Sequence, residues 1–106
     1  MQFEGAETIV RHMTELRTAL LVDDDPQVRW TLAMLLEDLG FAVKAVSRPS
    51  DALSAIEGGT FDVLVTDVVM PEMEGWRLAE AVREKQPRIP VLYVSGFPAK
   101  RRVRPA

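Results

Sequence analysis

Three short apolar runs constrain this chain more than any other feature: ALLV at residues 19–22, FDVLVT at 61–66 and IPVLYVS at 89–95. The first is wholly apolar and stops at three acids, Asp23, Asp24 and Asp25. A run of that kind, with no alternation of apolar and polar positions, reads as a strand buried on both faces. The run at 61–66 reads the same way and feeds directly into Asp67. The run at 89–95 ends at Ser95 and is broken by Gly96, Phe97 and Pro98. A fourth strand-like stretch covers residues 41–47.

Between these runs the spacing of apolar residues changes to that of helices. Asp25 followed by Pro26 is an N-cap with proline in the first helical position. From there Val28, Leu32, Leu35, Leu36 and Leu39 form one apolar face, and Gly40 stands where a helix would end. Residues 49–57 predict a short helix carrying Ala52, Leu53 and Ile56, closed by Gly58 and Gly59. Residues 75–85 predict another, with Leu78, Ala79 and Val82 turned inward. Ahead of the first strand, Ile9, Val10, Met13 and Leu16 recur at helical spacing and predict an amphipathic helix over 6–18, with His12 on its polar side. The order is helix, then β-α-β-α-β-α-β, with no internal repeat. Alternating strands and helices imply right-handed crossovers and a parallel sheet covered on both faces, a three-layer, doubly wound α/β fold.

At 106 residues the chain has room for one domain. No apolar run approaches the roughly 20 residues of a membrane-spanning helix, and residues 1–10 do not read as a signal peptide. There is no cysteine, which removes disulfides and thiolate metal sites and points to a cytoplasmic setting. The net charge of −3 is unevenly distributed. Lys100, Arg101, Arg102 and Arg104 fall in the last seven positions and leave 9 basic against 16 acidic residues elsewhere. An acidic body argues against nucleic acid as the main partner, and the basic end reads as a solvated tail.

In an open parallel sheet, ligands gather beyond the carboxyl ends of the strands. Asp23 and Asp24 follow the first strand, Asp67 ends the third and Ser95 ends the fourth, so the fold should bring them to one edge. Converging carboxylates repel one another unless a cation sits among them. Hard oxygen ligands in an incomplete cage suit Mg²⁺, which keeps several waters and shares its other positions with phosphate oxygens. Asp67 could then act as a nucleophile toward a phosphoryl group, giving an aspartyl phosphate. Each residue has a plainer reading: Asp25 as a helix cap, Asp23 as a loop acid, Asp67 as a partner of turn amides, Ser95 as an ordinary strand end. The joint placement at three strand ends favours the site. Trp30, Trp76 and Tyr93 read as packing or surface aromatics.

These residues also carry a resemblance. ALLVDDDPQVRWTLAMLLEDLGF, FDVLVTDVVMPEMEGWRLAEAVR and IPVLYVSG, together spanning about residues 19–97, are similar to the receiver domain of two-component response regulators, a flavodoxin-like fold. The resemblance implies that Asp67 is the phosphoacceptor, that Asp24 binds Mg²⁺ directly with Asp23 assisting, and that the backbone carbonyl of Val69 completes the protein ligands. It implies that Ser95 hydrogen-bonds the phosphoryl oxygens beside a small Gly96, and that Met70, Pro71 and Gly75 shape the loop. A histidine kinase or phosphotransfer protein would supply the phosphoryl group and a separate effector protein would read the altered surface.

The chain departs from the family pattern after Gly96. A complete receiver continues through a helix, a fifth strand ending in lysine and a last helix, whereas here the sequence ends FPAKRRVRPA, and Lys100 is not placed to be that lysine. The expected division is therefore an N-terminal helical extension at 1–18, an incomplete receiver of four strands at 19–98 and a basic tail at 99–106. A four-strand sheet would leave residues 89–95 as an apolar edge. Three arrangements would relieve it: the chain being a fragment of a longer protein, a homodimer pairing that edge, or the N-terminal helix packed on the sheet face. Two other functions stay open: a truncated receiver serving as a phosphorylation-independent docking module, and a Mg²⁺-dependent phosphatase. The latter needs an acid two residues beyond the nucleophile, where Val69 stands, so no enzymatic turnover is expected.

Overall fold

The two runs with no polar face lie at the centre of the sheet, where neither face meets water. In the computed structural model, which describes residues 17–94, strands β1 (Arg17–Val22), β2 (Phe41–Val46), β3 (Val63–Asp67) and β4 (Val91–Val94) form one parallel sheet. The strand order is β2-β1-β3-β4. Ala19, Leu20, Leu21 and Val22 of β1 are fully buried, and so are Leu64 and Val65 of β3. The edge strand β2 is half covered. This is the doubly wound arrangement expected from the alternation of elements, in the order of the flavodoxin-like sheets.

Three helices cover the sheet. Helix α1 (Pro26–Asp38) packs on one face, where Leu36 closes over Ala19, Leu21 and Val65 with Leu32 and Ala33 beside it. Helices α2 (Pro49–Gly58) and α3 (Gly75–Lys85) pack on the other. There Ala52 and Ile56 of α2 meet Leu78, Ala79 and Val82 of α3 over Leu20, Val22 and Leu64. Each large side chain buried in this way contributes about 1.5–3 kcal/mol. Helix α1 starts as expected, with the Asp25 carboxylate accepting from the backbone N–H groups of Gln27 (2.9 Å) and Val28 (3.2 Å). It stops at Gly40, whose φ of +100° lies where a side chain is strained and whose N–H closes on the Glu37 carbonyl.

Several boundaries differ from the sequence reading, each for a local reason. Arg17 and Thr18, read as the end of a helix, instead open β1 opposite Phe41 and Ala42. Thr18 is held there by Asp62, whose carboxylate accepts from the Thr18 backbone N–H (2.6 Å) and hydroxyl (3.2 Å). The remainder of the expected N-terminal helix, His12 and the basic tail lie outside the described residues. Strand β3 begins at Val63 rather than Phe61, because the Gln86 side chain takes both backbone groups of Phe61. Its Oε1 accepts from the Phe61 N–H (2.8 Å) and its Nε2 donates to the Phe61 carbonyl (2.9 Å). Strand β4 begins at Val91 rather than Ile89, since the Ile89 carbonyl accepts from the Arg83 guanidinium (3.3 and 3.2 Å). Leu35 and Leu39, read as part of the buried face of α1, are exposed.

The Gln86 amide thus replaces a rung of the sheet. Gln86→Ala leaves two half-buried backbone groups without these partners and is expected to cost about 1–3 kcal/mol. A lowered urea midpoint with an unchanged slope would register it.

Candidate functional site

The register of the central strands assembles the acids. Val22 of β1 stands opposite Thr66 of β3, so the next residues along, Asp23 and Asp67, leave the sheet side by side. Asp67 is also the last residue of β3 and stands opposite Val94 of β4. The carboxylates of Asp23, Asp24 and Asp67 converge, with one oxygen of each within 4.8 Å of the others. Asp23 and Asp67 are 1% and 3% exposed, whereas Asp24 faces solvent. Two acids therefore form the floor of the site and one its rim.

Local structure holds each part in place. The turn after β1 is closed by the Asp25 N–H, which donates to the Asp23 carboxylate at 2.9 Å. Arg29, one turn into α1, donates to the Asp23 backbone carbonyl at 2.8 Å and ties the helix start to the strand end. Asp25 caps α1 and is not one of the three converging acids. The loop from Asp67 to α3 is anchored at three points. The Gly75 N–H donates to the Val68 carbonyl at 2.8 Å, Met70 is buried in the core, and Glu72 reaches across to α2. The Glu72 carboxylate accepts from the Ser50 N–H at 3.1 Å and the Ser50 hydroxyl at 3.4 Å. It meets α2 where no side chain of its own caps the helix.

Gly75 is the tightest point. A Cβ there would collide with the Asp67 carbonyl oxygen and crowd the Asp67 carbonyl carbon at 3.1 Å and the Val68 Cα at 3.2 Å. Helix α3 can start directly beneath the acid only without a side chain at this position.

The structure brings together three of the residues singled out from the sequence, Asp23, Asp24 and Asp67. Val69 sits in the adjoining loop with its side chain exposed. Ser95 and Gly96 lie outside the described residues. The roles of Glu72 and Arg29 were not visible in the sequence, because the spacing of Ser50 and Glu72 carries no periodic signal. Trp30 and Trp76 are surface aromatics as expected; the Trp76 indole N–H donates to Glu74 and the Arg77 guanidinium lies 5.2 Å from its ring centre. The donor set fits a hard divalent cation: three carboxylates offering only oxygen, with one open side toward solvent.

Two outcomes follow. Gly75→Ala should destabilise the fold by about 1–3 kcal/mol through overpacking and weaken Mg²⁺ binding in isothermal titration, because the strand end must move. Asp24→Asn should raise the melting temperature by several degrees in metal-free buffer, where it relieves repulsion. Millimolar Mg²⁺ should raise the melting temperature of the unaltered chain, and that gain should be lost in the same variant.

Residues 19–105 match the family model described as response regulator receiver domain. The chain is similar to the response regulator receiver protein CpdR of Brucella abortus, 33% identical over 84 residues that make up 79% of this chain and 70% of that protein. It is similar to the sensor kinase CckA of the same organism, 39% identical over 82 residues, 76% of this chain but only 9% of that protein. The crystal structure of a response regulator receiver protein from Sinorhizobium medicae superposes with a TM-score of 0.73 at 35% identity, covering 81% of this chain and 71% of that one. The match to the family model over most of the chain, the shared sheet and the acids at its edge establish that this chain belongs to the response regulator receiver domain family of two-component systems.

Proposed function

We propose that the chain is a phosphoacceptor module, modified on Asp67 in a Mg²⁺-dependent reaction and read by another protein through the resulting change of surface. The observation that carries this is the convergence of Asp23, Asp24 and Asp67 within 4.8 Å at the mouth of β1 and β3. In the reaction a carboxylate oxygen of Asp67 attacks the phosphorus of a phosphohistidine or a small acyl phosphate. An O–P bond forms as the P–N or P–O bond to the donor breaks, and the leaving imidazole or carboxylate departs with its electron pair. Burial of Asp67 at the end of a rigid strand fixes the line of attack and keeps bulk water at a distance. Asp23 and Asp24 would hold Mg²⁺ together with Asp67 and the Val69 carbonyl. When bound, the cation offsets charge on the transferring oxygens. Ser95, next along the chain from the strand residue opposite Asp67, is assigned to the phosphoryl oxygens.

The phosphoryl donor is proposed to be a histidine kinase or a phosphotransfer protein, in keeping with a relative that is a sensor kinase. A downstream effector protein is the proposed reader. The chain spans about 9% of that kinase, so any activity of a larger assembly belongs to the same proposal. No helix among the described residues is long and apolar enough to cross a membrane. A cytoplasmic setting is proposed with the kinase partner.

Incubation with acetyl phosphate and Mg²⁺ should add one phosphoryl mass to the intact chain. The adduct should vanish in Asp67→Asn and on chelation of the metal. An unmodified chain under conditions that preserve its fold would leave a docking module as its function.

A further inference from the structure

Among the described residues three polar side chains are buried: Asp23, Asp67 and Thr66. The first two belong to the acidic site. Thr66 does not, and at 0% exposed it is the most enclosed of the three. It follows the apolar residues Val63, Leu64 and Val65 of β3 and stands immediately before Asp67. Valine has nearly the same shape and suits a buried strand equally well, so the hydroxyl is all that sets threonine apart here. An enclosed hydroxyl costs free energy unless it is bonded. Its partner is therefore the clue to what it contributes.

That partner is Asp67 itself. The Thr66 hydroxyl donates to the Asp67 backbone carbonyl oxygen at 3.0 Å. Register sets the direction of the bond. Thr66 stands opposite Val22 of β1, and Val22 and Leu64 both lie in the cluster under α2 and α3, so the Thr66 side chain projects from that face. The start of α3 reaches the same oxygen. A Cβ on Gly75 would collide with it, and the Gly75 N–H donates to the next carbonyl along, that of Val68, at 2.8 Å. The peptide joining Asp67 to Val68 is thus held by a side chain from the residue before it and crowded by a helix. A peptide plane that cannot turn allows Asp67 one ψ angle. It fixes how the carboxylate-bearing Cβ is oriented relative to the loop that follows.

We propose that Thr66 is a positioning residue for phosphoryl transfer and metal binding. By holding the Asp67 carbonyl, its hydroxyl sets the angle between the Asp67 side chain and the loop that carries the Val69 carbonyl. The inference rests on the reading of Asp67 as phosphoacceptor. Thr66 acts only through Asp67.

Two pairs of chains differ at this position chiefly by the hydroxyl: the unaltered chain with Thr66→Val, and Thr66→Ser with Thr66→Ala. All are compared well below the melting temperature of the least stable. With saturating Mg²⁺, the rate of phosphorylation by acetyl phosphate, read from intact mass, should be nearly the same in the unaltered chain and in Thr66→Ser. It should fall on the order of tenfold in Thr66→Val and Thr66→Ala. Isothermal titration with Mg²⁺ should divide the chains in the same way, with binding several-fold weaker where the hydroxyl is missing. A hydroxyl that served stability alone would move the melting temperature and leave the rates together. If Thr66→Val does not fold, the serine and alanine variants carry the same comparison. Equal rates within each pair, or a Thr66→Ser as slow as Thr66→Ala, would overturn the proposal. Should the folded, unaltered chain take up no phosphoryl group, the phosphoacceptor reading fails and the Mg²⁺ titration decides the role of Thr66 separately. Weaker binding without the hydroxyl then supports it, and equal binding, or none, overturns it.

Discussion

Everything at the acidic edge depends on the register between β1 and β3. The pairing of Ala19 with Val63 through Val22 with Thr66 sets Asp23 and Asp67 one step beyond the last paired residues, on strands about 4.8 Å apart. That register is itself set by the core. Leu20, Val22 and Leu64 must face α2 and α3 while Ala19, Leu21 and Val65 face α1. A slip of one residue would turn every one of these side chains to the wrong face. The hydrophobic pattern therefore brings the carboxylates to one edge of the sheet. Three carboxylates offering only oxygen at one edge fit a hard divalent cation.

The elements dominated by this pattern were the ones legible in the sequence. ALLV and VLVT could only be central strands, and the Asp25-Pro26 start and the Gly40 stop of α1 needed nothing beyond local chemistry. Asp23, Asp24 and Asp67 followed from strand ends alone. What stayed hidden were side chains that take over backbone hydrogen bonds from far along the chain. Gln86 replaces the expected first rung of β3, Arg83 the expected first rung of β4, and Asp62 draws Thr18 into β1. Glu72 reaching Ser50 is the same kind of contact. None has a period, so no sequence window contains it. The exposure of Leu35 and Leu39 was hidden for a different reason: periodicity finds the apolar side of a helix but not how wide a surface lies beneath it.

The anchoring of the loop after Asp67 shows how the acidic edge can be both rigid and thin. Gly75 lets α3 begin in contact with the strand end, so the loop is short and its backbone closes on itself through Val68. Met70 fixes the middle of the loop to the core, and Glu72 fixes its far side to the start of α2. The loop is thus tied to the same helix pair that packs on β1 and β3.

The two ends of the sheet divide the work between them. At the end where the strands begin, polar side chains are paired off: Asp62 with Thr18, Gln86 with Phe61, Arg83 with Ile89. Each pairing saturates backbone groups that the strands leave open there, and each adds to stability. At the end where the strands stop, the carboxylates of Asp23, Asp24 and Asp67 converge, one oxygen of each within 4.8 Å of the others. Parallel strands make this division possible, because all four bring their carboxyl ends to one side. Hydrogen bonds clamp one edge, and the other gathers the acids.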